Sequence, residues 1–423
     1  MAALKYIFGD VKLVFSKAIH KLYIPPEKIL NLNNCLYIYT LATVIKKILS
    51  AVLMIMGIFI PAFSQLNNSV FMNSRTIDPE RLGDLYLSTD VLMFTKNNEY
   101  FNKIADGYTL YGFQFAPYLT YYPAENVRID AGLYAQKDFG NEDFNEISPI
   151  LTVMFDWGPL KQVFGNLDGN YNHRLIEPLY DFERGLMDRQ ETGMQTILEN
   201  ERIFMDLWVN WETMLYRGDN NQEEVSGGIS FDYKLGSGSH SISFPLQLLL
   251  YHRGGQIDSS PIPIATLQNS AVGINYTYLF PDGSFLKEIR SQNYYVYYKD
   301  WSPQKNQLAF TDGDGTYLNL TFTSKADFEF MISYWQGNEF ITIKGGQLYP
   351  SVSSTYKYPD YIEQKRELII FRLMHDLHLS KDISWTTRIE PYYPTNSRKW
   401  QFSFGFYLNF NTDFFLHKNS IDE

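Results

Sequence analysis

Residues 400–410 alternate without a break. Trp400, Phe402, Phe404, Phe406, Leu408 and Phe410 fall on one face of an extended chain, and Gln401, Ser403, Gly405, Tyr407 and Asn409 on the other. A period of two defines a β-strand, and a face this apolar must meet a protein core or lipid. The pattern recurs with charge held to one face. In 127–137, Val127, Ile129, Ala131, Leu133 and Ala135 oppose Arg128, Asp130 and Gln136. In 202–216, Ile203, Met205, Leu207, Val209 and Trp211 oppose Asp206, Asn210 and Glu212. In 326–335, Phe328, Phe330 and Ile332 oppose Asp327, Glu329 and Ser333. In 366–379, Ile369, Phe371, Leu373 and Leu377 oppose Arg366, Arg372, Asp376 and His378; in 383–391, Ile383, Trp385 and Ile389 oppose Ser384, Thr386, Arg388 and Glu390. A soluble sandwich hides its apolar face in a dry core. A large barrel in a bilayer shows that face to lipid and keeps charge inside. An Arg or Lys at mid-bilayer on the lipid face costs about 2–4 kcal/mol, so the segregation is physically required.

Alternating segments cover 85–95, 108–122, 127–137, 146–157, 161–169, 191–199, 202–216, 225–235, 240–252, 268–280, 289–300, 315–323, 326–335, 366–379, 383–391 and 399–410. The connections 123–126, 158–160, 200–201, 236–239, 281–288, 324–325 and 380–382 are mostly very short. Those between them, 96–107, 138–145, 170–190, 217–224, 253–267, 301–314, 336–365 and 392–398, are mostly longer. Such sorting is expected when short turns lie on the periplasmic side and long loops outside. An open sheet edge in hydrocarbon would leave backbone groups unpaired, so the sheet must close. The expected fold is all-β: a single antiparallel transmembrane β-barrel over residues 85–410, of about sixteen strands, or fourteen if 85–95 is a periplasmic extension.

Ahead of it, Lys46-Lys47 precede an apolar run from Ile48 to Ile60, then Pro61, Ala62-Phe63-Ser64 and Gln65. This is the pattern of a secretory signal peptide over 44–64, and the run is too short for a comfortable transmembrane helix. Residues 1–43 then read as an upstream extension, 65–84 as a periplasmic segment and 411–423 as a tail. An aromatic content of 17%, mostly 32 Tyr and 31 Phe, suits strands and the girdles of a membrane barrel. Mean hydropathy of -0.25 argues against a helical membrane protein. Cys35 is the only cysteine, which excludes disulfides and Cys-based metal sites from 36 onward. A net charge of -11 with no basic tract gives no support to nucleic-acid binding.

The signal peptide, the sixteen-segment plan and the closing strand resemble those of porin-type outer-membrane barrels, and the aromatic-rich style resembles that of the Bacteroidota. The resemblance implies a passive channel for small hydrophilic solutes or ions in the cell outer membrane, without a cofactor or an enzyme activity. It implies outer-membrane lipid, lipopolysaccharide and the barrel-assembly machinery as partners, and leaves a homo-oligomer open. The chain departs from such barrels at its end, where residues 411–423, including Phe414-Phe415, follow Phe410.

Residues 170–190 form the densest charged connection, with Arg174, Glu177, Asp181, Glu183, Arg184, Asp188 and Arg189 among Leu175, Leu179, Tyr180 and Phe182. A loop mixing anchors and charges is built to pack. It is expected to constrict the lumen opposite Arg128, Arg372 and Arg388, with an external cap held by surface ion pairs as the alternative. The remaining candidates for the pore lining are Asp130, Asp206, Glu212, Asp327, Glu329, Asp376, His378 and Glu390. His375 and His378 point to opposite faces of a strand and cannot share a metal. Asp312-Gly313-Asp314-Gly315 reads as a tight turn, since a calcium loop would need further acidic ligands. A barrel that hydrolyses lipid is the enzymatic alternative and needs a serine beside a histidine on the lipid-facing side. Ser243 and His252 lie on opposite faces, and His173 and His375 have no evident serine partner. Loop 336–365, with Phe340, Tyr349, Tyr356, Tyr358 and Tyr361, leaves a binding or adhesive role as a third class.

Overall fold

The structure, a computed structural model, describes residues 68–72, 76–236, 238–305 and 307–418. The expected signal peptide and residues 1–43 lie outside the described residues. Sixteen antiparallel strands close into one barrel, each paired with its neighbour in sequence and the last with the first. They are β1 (Asp84–Phe101), β2 (Asp106–Ala124), β3 (Val127–Asp138), β4 (Glu146–Asp156), β5 (Leu160–Asn166), β6 (Thr192–Glu199), β7 (Ile203–Thr213) and β8 (Glu224–Leu235). Then follow β9 (His240–Arg253), β10 (Ala265–Leu279), β11 (Leu286–Asp300), β12 (Asp312–Ser324), β13 (Phe328–Asn338), β14 (Lys365–His378), β15 (Ile383–Pro394) and β16 (Gln401–Lys418). Every segment read from the sequence is a strand, 85–95 included.

The faces follow the alternation. Phe402 and Phe404 of β16 are exposed on the outer surface, whereas Gln401, Ser403 and Tyr407 are buried inside. Closure pairs β1 with β16 from Asp84↔Lys418 to Glu99↔Phe402. The expected tail is therefore mostly strand: residues 411–418 run beside 84–90. Asp413 holds them there, accepting hydrogen bonds from Ser88 Oγ at 2.7 Å and Arg81 at 2.9 Å.

Two further expectations fail. Residues 96–107 are not a long loop, because β1 and β2 continue to Phe101 and from Asp106. Asn102 Oδ1 closes the hairpin, accepting from the backbone N–H of Ile104 at 2.6 Å and Ala105 at 2.9 Å. Asp312–Gly315 is the start of β12 rather than a turn, with Asp312 on Lys299 at 3.1 Å and Asp314 accepting from Tyr295 Oη at 3.0 Å. Polar residues at the ends of strands that rise past the apolar band look like loop in one dimension.

Of the segment read as periplasmic, the described residues 68–72 pack inside the barrel. Ser69–Phe71 forms a 3₁₀ turn with Phe71 buried. Its ring sits against Tyr171, Phe182 and Tyr407 at centroid distances of 5.6, 5.2 and 5.2 Å. Asn68 accepts a hydrogen bond from Arg388 at 2.9 Å.

Candidate functional site

The wall is lowest at β5 and β6, where the chain turns inward. Gly165 and Gly193 are cross-strand partners at the top of this hairpin, with φ of 96° and 156°. A Cβ on Gly165 would lie 1.9 Å from the Leu151 carbonyl oxygen, and one on Gly193 2.1 Å from that of Val209. Only glycine fits so close an approach. Past this pair, residues 167–191 leave the wall and pack against inward-facing residues of the barrel.

His173 anchors the loop. Its ring stacks on Trp208 of β7 at 3.8 Å with an interplanar angle of 16°. Nδ1 lies 2.7 Å from Asp206 and Nε2 2.7 Å from Glu191, and Tyr180 Oη donates to the same Glu191. Burial alone would lower the imidazole pKa, but the two carboxylates outweigh it and raise His173 to about 9. Sequence reasoning looked for a serine beside His173; the partners it has are acids, Asp206 of β7 and Glu191 at the end of its own loop.

Across the lumen the loop meets a ladder of charges. Glu177 accepts from Arg372, from Tyr349 Oη at 2.7 Å and from Tyr317 Oη at 3.1 Å. Arg372 donates its Nε to Glu390 at 2.7 Å, and Lys96 donates to the other oxygen of Glu390 at 3.0 Å. Lys96 Nζ is 3.6 Å from Glu183, which also accepts from Asn98 at 2.9 Å and from Tyr108 Oη. Arg388 lies over the Phe182 ring at 4.1 Å. Burial, with Glu183 and Glu177 close by, pushes the Asp181 carboxyl up to about 8. Loop 339–364 packs on top. Thr342 Oγ1 donates to the Pro178 carbonyl at 2.7 Å, Gly346 N to that of Glu177 at 3.0 Å, and Lys344 to Glu212. Ile176, Leu179, Phe340 and Leu348 fill the space against inward-facing Val296, Leu368 and Ile370. Within this plug Lys96 is 3% exposed, Arg372 and Arg388 1%, and Glu390 2%.

The other candidates sit elsewhere. Arg128 does not meet the loop; it pairs with Asp130 at 2.9 Å low on the wall. Asp327 is an exposed turn residue paired with Lys287 at 3.7 Å. Glu329, Asp376 and His378 line a vestibule at the short-turn end. Arg174 points down from the loop, over the Phe204 ring at 3.7 Å and 2.9 Å from Glu199. Arg184 pairs with Asp188 at the loop's own helical turn, and Arg189 donates to Gln114 at 2.9 Å. Lys96 and Asn98 were missed because they fell inside the span read as a loop, and Tyr108 stood at the first position of the segment read after it. One signal was in view: Leu368-Ile369-Ile370-Phe371 breaks the alternation, and a wet lumen would not hold Leu368 and Ile370.

On the outer face, Ser243 and His252 do point apart: Ser243 faces the lumen and donates to Asp232 at 2.9 Å. His252 faces outward near the long-loop end, and its Nδ1 lies 2.9 Å from Thr266 Oγ1 of β10. A hydroxyl held on an imidazole is a nucleophile–base pair in form. No group of His, Cys, Asp and Glu among the described residues could hold a metal ion.

A closed barrel with an apolar outer belt, short turns at one end and long loops at the other is an integral protein of the bacterial outer membrane. Within that class, the model of the lipid A 3'-O-deacylase-type family matches residues 77–419, and the chain belongs to that family. No curated protein matches it. Similar solved structures include OprD of Pseudomonas aeruginosa, at 12% identity and a TM-score of 0.47 over 80% of this chain and 96% of that one. A loop-deleted form of OmpT, an outer membrane protein of Vibrio cholerae, is similar at 10% identity and a TM-score of 0.48, over 78% and 100%. OprB of Pseudomonas putida gives 7% identity and a TM-score of 0.47, over 78% and 94%. Likeness this distant bears on neither activity nor substrate.

Proposed function

We propose that the protein is an acyl hydrolase acting on an acylated sugar phospholipid of the outer leaflet, from its wall rather than through a pore. The plug carries this reading. A diffusion channel needs continuous water, and the charged side chains at the middle of this lumen are all but withdrawn from it. The family supplies the reaction class, release of an ester-linked acyl chain from a lipid-A-type molecule. The His252–Thr266 pair supplies a candidate for the chemistry, on the side that faces lipid. Thr266 Oγ attacks the ester carbonyl as His252 Nδ1 takes its proton, and the sugar alcohol leaves with that proton. Water, deprotonated by the same imidazole, then frees the fatty acid and restores the hydroxyl.

Purified protein in vesicles containing lipopolysaccharide is expected to release free fatty acid, with mass spectrometry showing lipid A one acyl chain lighter. His252→Ala and Thr266→Val are each expected to slow release by about 100-fold or more while the barrel still folds. Unchanged lipid A with the wild-type protein refutes the function. Undiminished release by both variants refutes the pair.

A gated channel is the second reading, and the vestibule at the short-turn end favours it. Cavities of about 410 Å³ and 390 Å³ open there, the first lined by Arg290, Glu329, Asp376 and His378, the second by Asp232, Ser243 and Asn275. Displacement of the plug would join them to the outside. Deleting 176–188 is expected to create stepwise conductance if the plug is all that closes the path.

A further inference from the structure

The low wall leaves a notch. Residues of β5 pair with β4 only from Asp156↔Lys161 to Thr152↔Gly165, and β6 pairs with β7 only up to Gly193↔Asn210. At about 3.3 Å per residue and a tilt of about 45°, the seven residues of β5 rise about 16 Å. The apolar band of an outer-membrane barrel is about 25 Å tall. Starting from Trp157 at the short-turn end, the hairpin stops inside hydrocarbon, in the outer leaflet. Above it, Glu146–Leu151 of β4 and Trp211–Thr213 of β7 have no strand between them among the described residues.

The notch has apolar sides and a polar floor. Ile147 and Leu151 are 63% and 60% exposed, and Met194 and Trp211 face outward nearby. On the floor, side-chain amides stand in for missing strand partners. Asn166 Oδ1 accepts from Leu151 N at 2.8 Å, Asn210 Oδ1 from Thr192 N at 2.8 Å, and Asn166 Nδ2 donates to Gln190 at 2.8 Å. Bare backbone in hydrocarbon costs several kcal/mol per unsatisfied group, so whatever covers the edge above this floor must bring donors and acceptors as well as hydrocarbon. Outer-leaflet lipid surrounds the barrel at this height. Sugar hydroxyls and ester or amide carbonyls on an acylated sugar meet both demands; a plain acyl chain meets only one.

We infer that the notch between β4 and β7 is a binding groove for an acylated sugar phospholipid, with an acyl chain along Ile147, Leu151 and Trp211 and the polar part on Gln190 and Thr192. The inference rests on the lipid-directed reading above and adds where the substrate docks: three strands from His252–Thr266, within reach of one broad lipid.

The test uses photocrosslinking in vesicles of phosphatidylethanolamine with lipopolysaccharide. p-Benzoylphenylalanine replaces Gln190, Thr192 or, as a control on the complete wall, Phe330; the heat-dependent gel shift of a folded barrel selects variants for reading. Lipopolysaccharide adducts at Gln190 or Thr192, and a yield there at least several-fold above Phe330, are the expected result. Adducts no stronger than at Phe330, or adducts to a second copy of the chain, overturn the groove. Acyl release is measured on the same vesicles. Release without floor adducts breaks the groove alone, and floor adducts without release by the wild-type protein break the enzymatic reading alone.

Discussion

Two sectors of one wall have used their residues differently. In β16, β1 and β2, strands of 18, 18 and 19 residues rise past the membrane, and the hairpin 102–105 joins the last two. In β5 and β6, strands of seven and eight residues stop short, and residues 167–191 go into the lumen. The tall sector closes the barrel and the low one fills it. Low wall and plug thus share one cause, a hairpin that bends inward at a pair of glycines.

The sharpest way to break the comparison is to straighten that bend. Gly165→Val or Gly193→Val places side-chain atoms where a neighbouring carbonyl already stands, and positive φ penalises a β-branched residue further. Neither variant is expected to give a heat-modifiable barrel. Gly140→Ala, at positive φ in a loop with no atom near its Cβ, is expected to fold. A folded Gly165→Val barrel would mean that the bend is incidental.

The next largest effect tests what ties plug to wall. Arg372→Met leaves Glu177 and Glu390 buried without their shared cation, and losing one partner of a buried pair costs about 3–5 kcal/mol. Urea unfolding in detergent is expected to show a loss of that order, with proteolysis newly cutting 176–188. An unshifted midpoint would detach the plug from the barrel's stability.

The smallest effect is with pH. His173 is raised to about 9 from an ordinary value of 6.5 by Glu191 and Asp206. A raised pKa means that this anchorage is complete below about pH 6.5 and is lost as pH climbs through about 9. Amide exchange across 167–191 is expected to accelerate, relative to β1 and β16, between those values after correction for intrinsic rates. A flat profile would assign the anchorage to the Trp208 stack alone.

All sixteen strands were legible because lipid enforces a period of two on every one of them. Leu175, Leu179 and Phe182 among seven charges marked 170–190 as a loop built to pack, but left open whether it packs inside the lumen or caps it from outside. Its partners were not legible. Whether Arg128 or Lys96 faces Glu183 depends on which strands stand opposite across the lumen, which no local pattern encodes. The run Lys96-Asn97-Asn98-Glu99 has turn chemistry, yet it is strand because its inward half pairs with the plug and its outward half stands above the lipid. The depth of the wall at β5 escaped notice for the opposite reason: Leu167 and Asp168 continue an alternation past Asn166, where the strand ends.

Whether the lumen is closed decides most between an enzyme on the wall and a pore through it. Single-channel recording of the intact protein in a planar bilayer answers that directly. A plug held by Arg372–Glu177, Lys96–Glu390 and His173 predicts a silent bilayer at moderate voltage, with a heat-modifiable barrel recovered from the same preparation. Steady ohmic steps from the intact barrel would contradict it.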